Sequence, residues 1–100
     1  MAKFFTIASG SSGNSSFVGA SGEGILIDFG ISSRGVTTAL KNRGIDPDSL
    51  SGILIPHEHI DHVRGLSVFL SRHKIPVFAS GSVLGFLSSN GLVPEDAVLN

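Results

Sequence analysis

The sequence predicts an α/β fold with an α+β opening: a mixed sheet whose first strands are joined by β-hairpins, followed by strands and helices in alternation. Three features carry this expectation. Apolar, β-prone runs near the start are separated by Gly- and Ser-rich turns rather than by helical stretches. GILI at 52–55 and the apolar part of GILID at 24–28 lack polar alternation, which suits a sheet covered by helices. From residue 32 onward, apolar residues recur at helical spacing between such runs.

Taken in order, residues 3–8 (KFFTIA) read as a strand ended by Ser9-Gly10. Residues 9–16 (SGSSGNSS) have linker composition, but strand-like segments flank them so closely that a tight hairpin or substrate-facing loop fits better. The next strand starts around Phe17-Val18, and ASGEG at 20–24 is a second turn. Residues 24–28 form a strand that Phe29-Gly30 breaks. Ser32-Ser33 offers a helix N-cap, Val36, Ala39 and Leu40 mark its apolar face, and Arg43-Gly44 supplies a basic last turn and a C′ glycine. Residues 45–51 are a loop with Pro47. After the strand at 52–55, Val63, Leu66, Phe69 and Leu70 mark a helix that ends before Pro76. A short strand at 76–79, a helix at 82–90 closed by Gly91, and the start of a strand at 97–99 complete the order.

The composition is that of a globular chain: of 100 residues, 41% are hydrophobic and 15% charged. That length suffices for one domain or part of a larger one, and the apolar lean suits a piece that leaves one sheet face for another segment to cover. Seven Lys and Arg against eight Asp and Glu give a formal charge of −1, so no broad basic field announces nucleic acid or a membrane surface. An anionic partner would have to be held locally. Without cysteine, disulfides and thiolate metal sites are excluded. The start, MAKFFTIASG, lacks the apolar core of a signal peptide, and no apolar run reaches transmembrane length. A cytoplasmic location without membrane contact is the expectation.

Three of the four histidines lie within residues 57–62, HEHIDH, directly after an apolar strand. On a strand-like turn alternate residues point the same way, so His57 and His59 can share one ion. Asp61 and His62 follow where the chain turns into a helix and can serve a second. Imidazole and carboxylate are the ligands zinc and similar metals take when thiolates are absent. Two such ions acidify a water and hold the oxyanion of a hydrolytic transition state. A lone His-x-His is ordinarily a surface turn. Here an Asp-His pair completes it at the C-terminal end of a strand, where open α/β sheets put their sites. Ser11, Ser12 and Asn14, with the glycine amides between them, are candidates to donate hydrogen bonds to a substrate phosphate. Arg64 reads as a surface charge beside the cluster. His73, in a Ser-Arg-His-Lys helix end, favours the helix C-terminus over a metal.

HEHIDH, followed by RGL, resembles the HxHxDHxxGL signature of the metallo-β-lactamase superfamily, and ILIDFG resembles its first motif, an aspartate at a strand end. SGSSGNSSFV looks like the YycJ/WalJ-like subgroup, whose members are similar to DNA exonucleases. Pro56 departs from the pattern: relatives usually carry Thr or Ser there, and proline removes a backbone donor at the strand end. The resemblance implies that residues 1–100 form the N-terminal αβ half of an αββα sandwich, with a third histidine, a bridging aspartate and a last histidine expected beyond Asn100. It implies His57 and His59 at a first metal, Asp61 and His62 at a second, Asp61 orienting the nucleophilic water, and Asp28 bracing the metal loop from behind the ligands. Glu58 falls at a variable position and is not assigned a role. The cofactor expected is a pair of divalent ions, zinc foremost, with manganese or iron also suited.

The function implied is metal-dependent hydrolysis, as a phosphodiesterase or exonuclease on DNA. A thioester or lactam hydrolase of the same fold is the nearest alternative. A reading of another class is a non-catalytic metal-binding or assembly module, with zinc held structurally or at a homo-oligomer interface covering the exposed sheet face.

Overall fold

The structure is a computed structural model that describes residues 2–8, 14–20, 23–56, 65–94 and 98–99. Five strands form one mixed sheet in sequence order: β1 (Ala2–Ala8), β2 (Ser15–Ala20), β3 (Glu23–Ile27), β4 (Gly52–Leu54) and β5 (Val77–Phe78). The first three are antiparallel neighbours joined as hairpins; β3–β4 and β4–β5 are parallel. The parallel pairs need crossovers, and helices supply them. α1 (Ser33–Asn42) and a 3₁₀ turn (Pro47–Ser49) connect β3 to β4, and α2 (Leu66–Arg72) lies between β4 and β5. α3 (Gly81–Ser89) follows, and Leu99 bridges in parallel to Val77, where the sequence places the start of a further strand.

One cross-sheet row organises the core. Phe5, Phe17, Leu26, Ile53 and Val77 are successive register partners across all five strands. Side chains alternate along a strand, so this whole row points to one face. All of it but Phe5 is buried, and Val36 and Leu40 of α1, Leu66, Phe69 and Leu70 of α2, and Val83 and Leu87 of α3 complete the same cluster. The rings of Phe5 and Phe17 stack with centroids 5.1 Å apart, and the Arg43 guanidinium lies over Phe5 at 4.1 Å. The opposite face carries Phe4, Val18, Ile25, Ile27, Leu54 and Phe78. Phe4 is 67% exposed, Phe78 41% and Leu54 37%, so the helix layer covers one side of the sheet and leaves an apolar surface on the other.

The helix ends follow the expected chemistry. Ser32 caps α1 by accepting from the Gly35 N–H, and Ser80 caps α3 by accepting from Val83. At the far ends Gly44 (φ +72°) and Gly91 (φ +64°) take left-handed backbone, with paired bonds Gly44 N–H to Lys41 O and Ile45 N–H to Leu40 O, then Gly91 to Ser88 and Leu92 to Leu87. Both are Schellman closures. Several boundaries differ from the sequence reading. Ser15 and Ser16 belong to β2 rather than to the preceding loop, because they pair with β1 and β3. The stretch 45–51 contains the 3₁₀ turn, which Asp46 caps by accepting from the Asp48 N–H. α3 starts at Gly81, one residue before the expected start, because Ser80 is its cap.

An aromatic column runs through the helix layer. Phe29 meets Phe69 at 4.9 Å, and Phe69 meets His73 at 4.6 Å. His73 closes α2 as its C-cap, as expected, but its ring Nδ1 pairs with the Asp48 carboxylate across the gap to the 3₁₀ turn. Phe69→Ala should therefore destabilise the fold by about 3–5 kcal/mol, because it empties the middle of this column. The shift of the urea unfolding midpoint at unchanged m-value measures it.

Candidate metal centre

The C-terminal ends of β3, β4 and β5 lie at one edge of the sheet, and β1 ends and β2 begins at the same edge. Segments leaving or reaching this edge include 9–14, 28–32, 55–65 and 79–80. All the site residues expected from the sequence fall on the first three of these. His57, His59, Asp61 and His62, with Glu58 and Arg64, lie outside the described residues, as do Ser11 and Ser12. Asn14 and Asp28 are described. Among the described residues no three His, Asp or Glu side chains gather as a metal site.

What the structure does describe is the frame on both sides of the cluster. β3 stops at Ile27, and the Asp28 N–H donates to Leu54 O at 2.8 Å, carrying the β3–β4 pairing one residue past the strand. The next residue, Phe29, accepts from the Gly65 N–H at 3.2 Å. Leu54 precedes the cluster and Gly65 follows it. Two consecutive residues of one segment thus hold both ends of the excursion from 55 to 64. On the strand side, the Ile55 N–H also donates to Phe78 O at 3.0 Å. Pro56, which lacks a donor, falls just beyond that last bond.

The segment that does the holding is itself fixed from the opposite side. The Ser15 hydroxyl donates to Asp28 O at 3.1 Å, and the Gly30 N–H donates to Asn14 O at 2.7 Å. Ser15 is 1% exposed, one of few polar side chains in the interior. Asn14 therefore stands beside Gly30, so the serine-glycine segment and the aspartate motif meet at this edge. Asp28 has φ +68°, the only positive value at a non-glycine among the described residues. Aspartate tolerates this region better than most residues, but the conformation costs about 1–3 kcal/mol and persists only where the surroundings impose it. The four hydrogen bonds around Asp28–Gly30 are those surroundings. The Asp28 Oδ1 atom is withdrawn from solvent, which suits a carboxylate that braces a cationic site.

Of the two framing residues, Gly65 is read from the sequence only as part of the RGL that follows the cluster, and Ser15 is given no role. The signal for Gly65 was its place just after the cluster. Ser15 carried none, since it sits in a run of five serines within eight residues.

Known proteins give a consistent picture. The family model of the metallo-beta-lactamase superfamily matches residues 8–98. The chain belongs to the metallo-β-lactamase superfamily. Over 77 residues it is 38% identical to a protein of Bacillus anthracis called exodeoxyribonuclease YycJ, covering 77% of this chain and 29% of that one. Over 78 residues it is 37% identical to exodeoxyribonuclease WalJ of Streptococcus pneumoniae serotype 2 (strain D39 / NCTC 7466), covering 78% and 29%. It thus spans under a third of the length of these curated relatives. Among solved structures, Rm3 metallo-beta-lactamase superposes with a TM-score of 0.75 at 30% identity, over 93% of this chain and 35% of that one. The chemotaxis sensor ODP, solved as a peroxy diiron species, shares the fold at 21% identity with a TM-score of 0.74 over 98% of this chain and 41% of that one. No helix among the described residues is long and apolar enough to cross a membrane.

The left-handed backbone at Asp28 makes a direct prediction. Asp28→Val should destabilise by about 1–3 kcal/mol more than Asp28→Asn, because Asn accepts positive φ and a β-branched residue does not. Urea unfolding of the two variants side by side decides it, and equal stabilities would contradict the constraint.

Proposed function

We propose that this chain carries the first metal-binding loop of a dinuclear metal-dependent phosphodiesterase that degrades DNA as an exonuclease. The observation that carries the reading is the frame: a segment of histidines and carboxylates, HEHIDH, runs between two residues that are both held to Asp28–Phe29 at the C-terminal edge of the sheet. The donor set fits divalent ions of the zinc, manganese or iron kind, being nitrogen and oxygen only. The names of the curated relatives favour DNA as the substrate.

In this reading His57 and His59 hold one ion and Asp61 and His62 a second, the remaining ligands coming from residues beyond Asn100. When bound, such ions supply Lewis acidity that makes water a nucleophile at neutral pH and neutralises charge building on a phosphate. The chain's own residues do the rest. Asp61 accepts a hydrogen bond from the attacking water and so aims it. Asp28 braces the loop from behind, and Ser11, Ser12 and Asn14 donate to phosphate oxygens from the neighbouring segment. A chain of formal charge −1 has no basic field with which to gather DNA, so an anionic substrate would have to be held locally at the site.

A lactam hydrolase is the second reading, favoured by the 30% identity to Rm3 metallo-beta-lactamase. The two separate on substrate: the full-length protein is expected to shorten linear DNA and to leave a chromogenic β-lactam intact. EDTA should abolish the nuclease activity, and added zinc or manganese should restore it. Asp61→Asn should lower turnover on DNA by about 100-fold or more, the weight of a lost acid–base group, with the melting temperature little changed. Absence of turnover in the parent, together with a large loss of stability in the variant, would instead identify a structural metal or assembly module.

A further inference from the structure

We propose that Gly65 is a positioning residue for the metal centre: its missing side chain lets the start of α2 seat directly on the Ile31–Ser33 backbone, and this seat fixes where the cluster's following end is held. The inference rests on the metal-site reading above and goes beyond it by naming a residue that binds nothing itself.

The need for glycine here is steric rather than conformational. Gly65 has φ −101°, which any residue adopts. A Cβ at this position, however, would stand 2.8 Å from the Ser33 N and 2.9 Å from the Ser32 carbonyl carbon, and closer still to the Ile31 O. Real Cβ atoms essentially never come within 3.0 Å of another heavy atom. All three obstacles are backbone, so no side chain can swing aside. Nor can the obstructing segment retreat freely. It opens α1, whose Val36 and Leu40 are fully buried, and Ser33 is itself 7% exposed. A methyl group must therefore push the start of α2 outward, stretching the Gly65 N–H···O=C Phe29 bond of 3.2 Å. Asp28, Phe29 and residues 31–33 form one short platform, and what moves relative to it is the end of the ligand segment. Ligand geometry tolerates errors of only about 0.5 Å before metal affinity suffers.

Cobalt(II) titration of the metal-free full-length protein tests this, with binding followed by visible d–d absorption and folding followed by far-UV circular dichroism and melting. Gly65→Ala should remain folded but bind cobalt(II) about 10-fold or more weakly, as losing outer-sphere support does elsewhere, with a changed d–d spectrum. Gly85→Ala, in α3 where an added Cβ meets nothing within 4 Å, should match the parent. A Gly65→Ala protein with parental affinity and parental spectrum overturns the inference, even if its melting temperature falls. If Gly65→Ala does not fold, Ser15→Ala decides, since it loosens the same platform from the other side by deleting the bond to Asp28 O. A smaller cobalt-induced rise in its melting temperature supports the positioning role, and an undiminished rise overturns it. A parent that binds no cobalt(II) defeats the metal-site reading and this inference together, whereas a parent that binds it leaves the inference to stand or fall on the variants.

Discussion

Two backbone hydrogen bonds on neighbouring residues govern the architecture of this chain. Asp28 reaches back to Leu54 and Phe29 receives Gly65, so the strand before the histidine cluster and the helix after it are tied to a single point. Everything at the C-terminal edge is subordinate to that tie. The left-handed Asp28 turns the chain so that consecutive residues can serve two different neighbours, and the Ser15 hydroxyl and the Asn14 carbonyl keep it turned. Because the tie is made by main-chain atoms, most side chains can vary without breaking it. The fold itself is shared with the diiron sensor at 21% identity.

Much of the fold was legible from residue pattern. Glycines at 44 and 91 marked two helix ends because only a left-handed C′ residue permits the paired closing bonds found there. GILI and GILID announced strands because a sheet under a helix layer needs continuous apolar runs. The cluster reads as a metal site from its spacing alone, and its residues lie outside the described ones. The frame was not legible. Nothing in the composition of SGSSGNSS separates Ser15, buried and bonded to Asp28 O, from its half-buried neighbour Ser16; only its register opposite the strand end does. Gly65 was legible as part of a motif, but the reason for it shows only when the backbone of 31–33 is placed against it. The pairing of His73 with Asp48 joins residues 25 apart and depends on how α2 packs, which no local pattern encodes.

The helix layer carries the same linkage inward. Phe29 sits beside the tie, Phe69 packs on Phe29, His73 packs on Phe69, and Asp48 receives the His73 ring. The turn containing Asp48 leads directly into β4, so the column closes a circuit: edge, α2, 3₁₀ turn, β4 and edge again. A site carried on such a circuit is supported at the sheet edge and, through the helix, from the sheet's far end. Such support would hold the spacing of functional groups carried on a loop.

The hairpin opening also bears on the sequence of assembly. The β1–β2 and β2–β3 pairings join strands adjacent along the chain, whereas the β3–β4 and β4–β5 pairings must wait for a crossover to fold over the sheet, and local contacts form sooner than distant ones. The three-stranded meander can therefore form before β4 docks against β3. The segment that follows β4 then meets an edge already built instead of having to organise one.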